Sequence, residues 1–447
     1  MDTIAAISTA LGIGAISIIR ISGEESINIV NSIFKGKNLN LVKSHTINYG
    51  YIIENNEIID EVLVSVMHTP KTFTKENIVE INCHGGISTT NKILALLLEK
   101  GCRLAEPGEF SKRAFLNGRI DLTESEAIMD LINAKNEMAR KLSISQLTGT
   151  LSNMIKELRQ EILEILASIE VNIDYPEYED IIEITNKILK PKIKRIKLTL
   201  KKILKNSENS QIVKEGIKTV IIGKPNVGKS SLLNKLLEEE KAIVTDIAGT
   251  TRDIVEGTIK IDEILLKIID TAGIRDTTNV IEKIGVSKSL ELIEKSDLVL
   301  LVLNNNEIIT EKENELIKKI KSKPYIIIVN KIDLETKINL TDENIVKISI
   351  KKDLGITELK NKIKDLFNLD KITTDDLNYM TNARSIALIK KSLNIIEKIE
   401  ISIKENQLID IIEIDIKEVW SLLGEIIGET YQEELIDQLF SQFCLGK

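Results

Sequence analysis

The sequence has few of the residues that build disulfide frameworks and metal clusters. Its 447 residues include three cysteines and three histidines, namely Cys83, Cys102, Cys444, His45, His68 and His84. The cysteines lie too far apart for a CxxC metal or redox pair, so we expect all three to be reduced. Three scattered histidines also argue against a metal site built from several imidazoles.

The sequence also lacks a segment suited to a membrane. Its apolar beginning, MDTIAAISTALGIGAISIIRISG, has no basic residues ahead of the apolar run, and its glycines and serines interrupt any spanning helix. We therefore expect a cytoplasmic protein without a signal peptide or a transmembrane segment.

An excess of positive charge is missing as well. The 60 lysines and arginines are outnumbered by 68 aspartates and glutamates, for a net charge of −8, which argues against binding nucleic acid through an overall basic surface. The composition still allows nucleic acid to be bound through a local basic patch or through a basic partner protein. The sequence does have length and apolar content, since 43% of its residues are hydrophobic, and these predict roughly two to four domains with buried cores.

Periodicity divides the chain into parts with different secondary structure. Residues 1–117 are predicted to form short strands and turns with one helix, an α+β pattern, as in AISIIRISG, INYGYII, IIDEVLVSVM and NIVEINCHGG. Residues 118–214 change to the helical period. We expect the first of these helices to begin with a capping box formed by Thr123 and Glu126.

The second half of the chain contains a different pattern. Residues 215–371 alternate strands with helices, which predicts a doubly wound parallel sheet. Residues 372–447 return to the helical period. The simplest interpretation is a helical domain interrupted by an inserted Ras-like P-loop domain, so the predicted fold class is multidomain α/β and α, with an α+β domain at the N-terminus.

The segment VIIGKPNVGKSSLLNKLL carries the strongest motif. Gly223 and Gly228 bracket a loop between an apolar strand and an amphipathic helix, and Lys229 and Ser230 follow, which is the context of a P-loop. The glycines let backbone amides surround phosphates, the lysine reaches the β- and γ-phosphates, and the serine hydroxyl binds Mg²⁺. A chance match in a loop is the alternative, and the motifs that follow in register argue against it.

A second motif selects the base. YIIIVNKID ends a buried strand with Asn330, Lys331 and Asp333, and the aspartate can accept hydrogen bonds from both N1 and N2 of guanine. Adenine offers no such pair of donors, so the predicted nucleotide is GTP. The loop Ser349–Lys351 resembles one that contacts guanine O6 through backbone amides, with isoleucine where alanine is common.

Two further segments lie where the switch loops of a GTPase are expected. In TDIAGTTRD we assign Thr251, in preference to Thr250, to complete the Mg²⁺ shell when the γ-phosphate is present. In DTAG, we expect the Asp270 carboxylate to contact the Mg²⁺ indirectly, from outside its direct ligands. The backbone amide of Gly273 should donate to the γ-phosphate. The next residue is Ile274, whose side chain cannot orient the attacking water as the glutamine of many GTPases does.

The predicted GTP contacts combine these motifs. They are Asn226, Val227, Gly228, Lys229, Ser230, Ser231, Thr245, Asp246, Ile247, Ala248, Gly249, Thr250, Asp270, Thr271, Ala272, Gly273, Asn330, Lys331, Asp333, Ser349, Ile350 and Lys351. The predicted Mg²⁺ ligands are Ser230 and Thr251.

In this order, GKPNVGKSS, TDIAGTTRD, DTAGIR and NKID, followed by FCLGK, resemble the family of tRNA modification GTPases called MnmE or TrmE. AISIIRISG, VEINCHGG, EPGEFSKRAFLNGRIDL and IDYPEYED resemble the remaining signatures of that family, so the resemblance covers essentially the whole chain. It implies an N-terminal domain that binds a folate and forms a homodimer, and a helical domain interrupted by the G domain.

The resemblance also implies how the water is handled without a glutamine. In this family a potassium ion binds beside the phosphates as two G domains meet, and a glutamate after the second switch loop orients the water. Here the K⁺ ligands would be Asn226 and backbone oxygens of Thr245, Ile247 and Thr250, and the glutamate would be Glu282. From the residues alone, Glu282 is equally an acidic side chain near a helix start.

The one-carbon carrier that the family implies is a 5-formyl or 5,10-methylene tetrahydrofolate. Its contacts map onto Arg20, Glu80, Arg119 and Lys447. The glutamate suits the donors of a pterin, and the basic groups suit its acceptors and its glutamyl tail. Arg20 could instead be a solvated charge at a strand end.

Some positions depart from the family or invite another interpretation. FTKENIVE has Lys75 and Asn77 where Gly and Asp are common, away from the four folate contacts, and Arg119 stands where lysine can occur. Cys444 in FCLGK could be a nucleophile. Because no histidine lies near it in sequence, we expect it to be a buried small side chain.

The leading hypothesis is a potassium-dependent GTPase that acts on tRNA with a flavoprotein, MnmG or GidA, in a heterotetramer or larger assembly. The partner would supply FAD and NADH, and the two would install an aminomethyl-type group at C5 of the wobble uridine. The alternative is a regulatory GTPase that acts as a ribosome-assembly switch. Such proteins usually carry a basic RNA-binding domain, whereas the C-terminal segments IIEIDIKEVW and ETYQEELIDQ are acidic.

Overall fold

The computed structural model describes residues 2–174, 189–238, 257–261, 264–269, 286–367, 382–430 and 433–446. The strands are β1 (Ile4–Ile7), β2 (Ile16–Ser22), β3 (Phe34–Lys35), β4 (Thr46–Glu54), β5 (Glu57–Met67), β6 (Ile78–His84), β7 (Arg103–Leu104), β8 (Ile217–Ile222), β9 (Gly257–Ile261), β10 (Ile264–Ile268), β11 (Leu298–Asn304), β12 (Tyr325–Asn330) and β13 (Ile345–Lys347). The α-helices are α1 (Ser26–Ile33), α2 (Ile87–Glu99), α3 (Glu109–Leu116), α4 (Leu122–Asn133), α5 (Glu137–Leu147), α6 (Thr150–Asp174), α7 (Lys190–Glu215), α8 (Lys229–Glu238), α9 (Val286–Lys295), α10 (Glu311–Ile320), α11 (Ile356–Leu366), α12 (Ala383–Lys404), α13 (Ile409–Ile427) and α14 (Glu433–Phe440).

A seven-stranded sheet forms in the N-terminal part, in the order β3-β4-β5-β6-β2-β1-β7. Its neighbours are antiparallel except for β1 and β7, which run parallel. Arg20 of β2 lies opposite Ala6 of β1 on one side and opposite Glu80 of β6 on the other. The predicted α+β pattern is confirmed, and two predicted folate contacts lie on adjacent strands.

Alternation along the strands gives this sheet one fully buried face. Ile19, Ile21 and Ile81 are buried in one apolar cluster with residues of α1 and α2. Because successive side chains of a strand point to opposite faces, Arg20 and Glu80 lie on the face away from those helices. The helices therefore cover one face of the sheet, whereas Arg20 and Glu80 lie on the other, where Ile4 and Ala6 of β1 pack against Phe110 in a separate buried cluster.

A six-stranded sheet has the order β13-β12-β11-β8-β10-β9. All its pairs are parallel except β9 with β10, which is antiparallel at one edge. Strands β11 and β12 are buried along their whole length, as is typical of parallel strands with apolar packing on both faces. The predicted doubly wound parallel sheet is confirmed for five strands, and β9 is the exception.

The start of α4 differs from the prediction. The capping box is formed by Asp121 and Glu124: the Glu124 amide donates to Asp121 Oδ1 at 3.0 Å, and the Asp121 amide donates to Glu124 Oε2 at 2.8 Å. The predicted pair of Thr123 and Glu126 is wrong because the helix begins at Leu122. Aspartate caps a helix as well as threonine does, and the two possible boxes lie only two residues apart.

Contacts divide the chain into two units. One comprises Met1–Ile132, Gln146–Ile193 and Lys391–Lys447, and the other comprises Asn133–Ser145 and Lys194–Lys390. The first contains the seven-stranded sheet, and the second contains the six-stranded sheet. The finer division into 1–117, 118–214, 215–371 and 372–447 stays a prediction. Within the described ranges, no helix is both long and apolar enough to cross a membrane.

Candidate functional site

The predicted P-loop follows β8 and leads into α8. Gly223 and Gly228 have φ angles of 149° and 105°, which side chains with a Cβ rarely adopt. A Cβ on Gly223 would lie 2.3 Å from the carbonyl oxygen of Val302, and one on Gly228 would lie 2.4 Å from Nδ2 of Asn330. Both positions therefore need glycine for backbone conformation and for close approach.

Lys229 folds back over this loop. Its Nζ donates to the carbonyl oxygens of Gly223 and Lys224 at 2.8 and 2.7 Å, and burial lowers the pKa of the lysine. A phosphate beside the ammonium group would raise that pKa again, because opposite charge favours the charged form. Ser230 and Ser231 follow in the first turn of α8, where the helix N-terminus favours anions. The donor set fits nucleotide phosphates and a Mg²⁺ ion held by a hydroxyl.

Asn330, at the end of β12, joins three of the predicted motifs. Its Nδ2 donates to the carbonyl oxygen of Val227 at 2.8 Å, and its Oδ1 accepts from the amide of Ile350 at 3.4 Å. The next residue, Lys331, donates from Nζ to the carbonyl oxygen of Asn226 at 2.8 Å. The predicted base motif is thus hydrogen-bonded directly to the predicted P-loop.

Asp333 is positioned by the third motif. The hydroxyl of Ser349 donates to its Oδ1 at 2.7 Å, and this hydrogen bond holds the pKa of the carboxyl below its usual range. The carboxylate is therefore ionised at neutral pH and can accept two hydrogen bonds, as guanine N1 and N2 require. Lys351 is exposed in the short 3₁₀ helix Ile350–Lys352 that follows Ser349.

The structure brings the predicted residues of the three motifs together at the carboxyl edge of the sheet, where ligands of doubly wound folds bind. Several other predicted residues lie outside the described residues. They are Thr245, Asp246, Ile247, Ala248, Gly249, Thr250, Thr251, Asp270, Thr271, Ala272, Gly273, Glu282 and Lys447.

A second polar site lies on the seven-stranded sheet. Arg20 Nε donates to Glu80 Oε1 at 2.8 Å, and the two side chains are 21% and 23% exposed. The guanidinium carbon of Arg20 lies 5.9 Å from the ring centre of Phe73 and 5.7 Å from that of Phe110, within cation–π range. Arg20 is therefore a paired residue inside a strand, and the interpretation as a solvated strand-end charge is wrong.

Two cavities border Arg119, and Phe73 lines both. The apolar cavity, of about 310 Å³, is lined by Phe73, Arg119, Glu124, Ile128, Leu131 and Ile132 among others. The basic cavity, of about 440 Å³, is lined by His45, Met67, Pro70, Lys71, Phe73 and Arg119 among others. Sequence reasoning did not identify Phe73. The available signal was an aromatic residue in a polar loop directly before the strand that carries Glu80.

The loop that carries Phe73 is attached to the turn that carries Arg119. Lys75 has a φ of 57°, a conformation that glycine adopts more readily than lysine. Its Nζ donates to the carbonyl oxygen of Gly118 at 2.9 Å, and Asn117 Nδ2 donates to the carbonyl oxygen of Thr74 at 2.6 Å. Lys75 contacts none of the four predicted folate residues directly, but it binds the neighbour of Arg119.

Residues 443–446 pack beside β1. Ser8 Oγ donates to the carbonyl oxygen of Gly446 at 3.1 Å. The amide of Gly108 donates to the carbonyl oxygen of Cys444 at 3.2 Å. Phe443 is buried, whereas Cys444 is exposed. The expectation of a buried Cys444 is wrong because its neighbour fills the apolar position. All three cysteines are free, and Cys83 and Cys102 are buried.

Comparison with known proteins gives matches over nearly the whole chain. The family model described as MnmE helical domain matches residues 122–444, and that described as GTP-binding protein TrmE N-terminus matches residues 3–119. Proteins named tRNA modification GTPase MnmE from Bacillus cytotoxicus and Streptococcus thermophilus are 52% and 53% identical over 455 and 449 aligned residues. Each covers 100% of this chain, and the alignments cover 99% and 98% of the two relatives.

A solved structure also aligns with part of the chain. Era in complex with MgGDPNP and nucleotides of 16S ribosomal RNA covers 34% of this chain and 56% of its own at 30% identity, with a TM-score of 0.25. A score of this size adds nothing to the strand order described above.

Proposed function

Because the chain belongs to the MnmE family of tRNA modification GTPases and is a GTP hydrolase, we propose that it is potassium-dependent and modifies tRNA with a flavoprotein partner. The reaction installs an aminomethyl or carboxymethylaminomethyl group at C5 of the wobble uridine. The carbon comes from a 5-formyl or 5,10-methylene tetrahydrofolate, and the partner, MnmG, supplies FAD and NADH. The setting is cytoplasmic.

One observation carries this proposal: a single chain brings the residues of the predicted P-loop and base motifs together in one unit and has, in its other unit, a half-buried arginine–carboxylate pair whose neighbour Phe73 lines two cavities. The carboxylate of Glu80 has about four lone-pair positions, and Arg20 Nε occupies one of them. A pterin presents adjacent N–H donors, much as guanine does, so Glu80 suits it. Phe73 beside Arg20 is half-buried and offers aromatic surface for the ring system, whereas Phe110 is fully buried and supports Arg20 from within the core.

The phosphate end of the proposed reaction uses the P-loop and the switch residues. Ser230 and Thr251 would hold Mg²⁺, and Asn226 would hold K⁺ with backbone oxygens of Thr245, Ile247 and Thr250. When bound, the two cations offset negative charge on the β- and γ-phosphates. Asn226 has a φ of 63°, a conformation that asparagine tolerates better than most residues, and its side chain is exposed at the loop. Glu282 would orient the water.

The sheet face opposite α1 and α2 supports the proposed homodimer. Tyr49 of β4 lies directly opposite Leu63 of β5, and Ile47, Tyr49 and Leu63 are 69%, 57% and 46% exposed. Adjacent exposed apolar side chains are typical of a surface that another protein covers. A second copy of this chain is the proposed occupant.

Nucleoside analysis of tRNA tests the proposal. Deletion of the gene should remove the aminomethyl-type modification from wobble uridines, and the intact gene should restore it. A complementing gene with Lys229→Ala should fail, because the lysine contacts the phosphate loop that GTP needs. Unchanged wobble uridines in the deletion strain would contradict the proposal and favour a regulatory GTPase that acts on ribosome assembly.

A further inference from the structure

The basic cavity provides charge that the proposed pterin contacts do not use. Two permanent cations, Lys71 and Arg119, and the imidazole of His45 line it, and none of the described residues that line it is acidic. All three side chains are exposed, so a ligand can reach them from solvent. Its volume of about 440 Å³ falls in the range of small-molecule sites, about 300–1,000 Å³.

The apolar cavity does not suit the same ligand group. Ile128, Leu131 and Ile132 line it, and its acidic residue, Glu124, is half-buried, which raises the pKa of that carboxyl. Carboxylates of a ligand would lose hydration there without gaining a cation other than Arg119. An anionic ligand group is therefore stabilised in the basic cavity and an aromatic or apolar group in the apolar one.

Phe73 connects the basic cavity to the arginine–carboxylate pair. Its ring contacts Arg20 and also lines both cavities. A ligand whose ring system lies against Arg20 and Glu80 therefore meets Phe73 on its way to Arg119. Folates have this order of groups, with a pterin, an aromatic spacer and then glutamate.

The loop that carries Lys71 is held in place before any ligand binds. Thr72 Oγ1 donates to the carbonyl oxygen of Glu76 at 2.6 Å, and Thr69 Oγ1 donates to that of Lys75 at 2.6 Å. The Glu76 carboxylate accepts in turn from Arg113 Nη1 at 3.1 Å, and this arginine is buried. The backbone of a preorganised loop loses little conformational freedom on binding, so the binding cost at Lys71 is limited to its own side chain.

We propose that the basic cavity binds the glutamyl tail of a polyglutamylated folate and that Lys71 makes the protein prefer such carriers to the monoglutamate. The inference rests on the proposed folate function. Each added glutamate brings one more carboxylate to a cavity lined by cations. The apolar wall of Met67, Pro70 and Phe73 can pack against the methylene groups of a glutamyl tail.

Affinity measurements on the full chain test this assignment. We expect calorimetric titration to show that 5-formyltetrahydrofolate triglutamate binds roughly fivefold or more tightly than the monoglutamate, the contribution of about one exposed ion pair. Lys71→Gln should reduce this ratio toward one, and Lys71→Glu should bring it to one or below. Added salt should lower the ratio for the wild type, because exposed charges are screened.

The matched control is Lys100→Gln, which removes the same charge from an exposed lysine at the end of α2, on the helix-covered side of the sheet. It should keep the wild-type ratio, and thermal unfolding should show that all variants are folded. Equal wild-type affinity for the two folates would overturn the tail assignment while leaving folate binding intact. Absence of binding to either folate would instead contradict the proposed function. If Lys71→Gln weakened tRNA binding and left the folate ratio unchanged, the cavity would belong to RNA.

Discussion

At the scale of single residues, Asp333 is the residue that we propose selects the base in the six-stranded unit. Its carboxylate is held by the Ser349 hydroxyl at 2.7 Å, so a change at this position alters base contacts without moving the loop. Asp333→Asn should weaken GTP binding about tenfold or more, because hydrogen bonds to a charged group contribute about 1.5–3 kcal/mol. The new amide donor suits the C2 oxygen of xanthine, so the variant should gain preference for xanthosine triphosphate.

A competition assay with a fluorescent guanine nucleotide measures this change. The control is Asp365→Asn, an exposed aspartate on α11, which should bind nucleotides as the wild type does. An unchanged preference in Asp333→Asn would contradict the assignment of the base motif.

Glu282 supports a second residue-scale prediction, because Ile274 cannot orient water. Glu282→Ala should leave nucleotide binding nearly intact and lower GTP hydrolysis by about two orders of magnitude, the size of a typical acid–base contribution. Single-turnover hydrolysis and nucleotide affinity should be measured on the same protein. Glu291→Ala is the control, since Glu291 is an exposed residue of α9 paired with Lys295. If Glu282→Ala still hydrolysed GTP at the wild-type rate, Glu282 would have no role in orienting the water. It would then be only an acidic residue near a predicted helix start.

Single residues also show which sequence-based predictions were wrong and why. The residues of the predicted P-loop and base motifs do come together in the structure, because each motif follows a buried strand of one parallel sheet, while their contacts to a nucleotide stay predictions. The capping box was misplaced because Asp121 and Thr123 are nearly equivalent caps. The burial of Cys444 was misjudged because a short tail offers no periodicity, and only packing decides that Phe443 faces inward.

At the scale of elements, the strand–loop–helix unit of β8 and α8 depends on Gly228. Alanine there would combine a φ of 105° with a Cβ placed 2.4 Å from Asn330 Nδ2, so the asparagine that joins three motifs must move. Gly228→Ala should lower GTP affinity at least about tenfold, since such strain costs about 1–3 kcal/mol. The control is Gly12→Ala, where an added Cβ meets nothing within 4 Å. Nucleotide titration of both variants measures this change in GTP affinity. A wild-type affinity in Gly228→Ala would show that Gly228 and its contact with Asn330 are not needed for GTP binding.

Elements were predictable where one pattern dominated. The apolar strand predicted before the P-loop is β8 (Ile217–Ile222), because a short, mostly apolar run bounded by Gly216 and Gly223 is typical of a buried strand. The antiparallel direction of β9 was not anticipated, since strand direction depends on its pairing with β10 and leaves no mark on side-chain alternation. The cluster of Arg20 with two aromatic rings could not be predicted from the sequence either, because Phe73 and Phe110 lie far from Arg20 along the chain.

At the scale of the whole molecule, the proposed potassium site needs two G domains to meet. We expect GTP hydrolysis to be markedly faster in K⁺ than in Na⁺ at equal ionic strength, and the rate per chain in K⁺ to rise with protein concentration. Asn226→Gly keeps the φ of 63° accessible and removes the side-chain oxygen, so it should lose the acceleration by K⁺ and retain its fold. The measurement is the rate of phosphate release in the two salts. Equal rates for the wild type in K⁺ and Na⁺ would contradict the proposed potassium site.

The segment 444–447 separates the two proposed activities of the molecule. Its described contacts all lie in the unit of the seven-stranded sheet: Gly446 binds Ser8, directly after β1, and Cys444 binds Gly108 at the start of α3. Strand β1 is the neighbour of the strand that carries Arg20. Deleting residues 444–447 should therefore weaken folate binding and abolish wobble-uridine modification, while K⁺-stimulated GTP hydrolysis stays largely unchanged because the phosphate and base motifs lie in the other unit.

Folate affinity, GTP hydrolysis, modified-nucleoside content and thermal unfolding should be measured on one truncated preparation. Leu445→Ala is the control, because it shortens an exposed side chain and leaves the backbone hydrogen bonds of the segment in place, so it should behave as the wild type. If the segment serves packing alone, truncation lowers the unfolding temperature and harms hydrolysis and modification together. Normal folate binding by a stable truncated protein would refute the role of the segment in the folate site, whereas selective loss of folate binding would place the carbon-transfer chemistry beside β1.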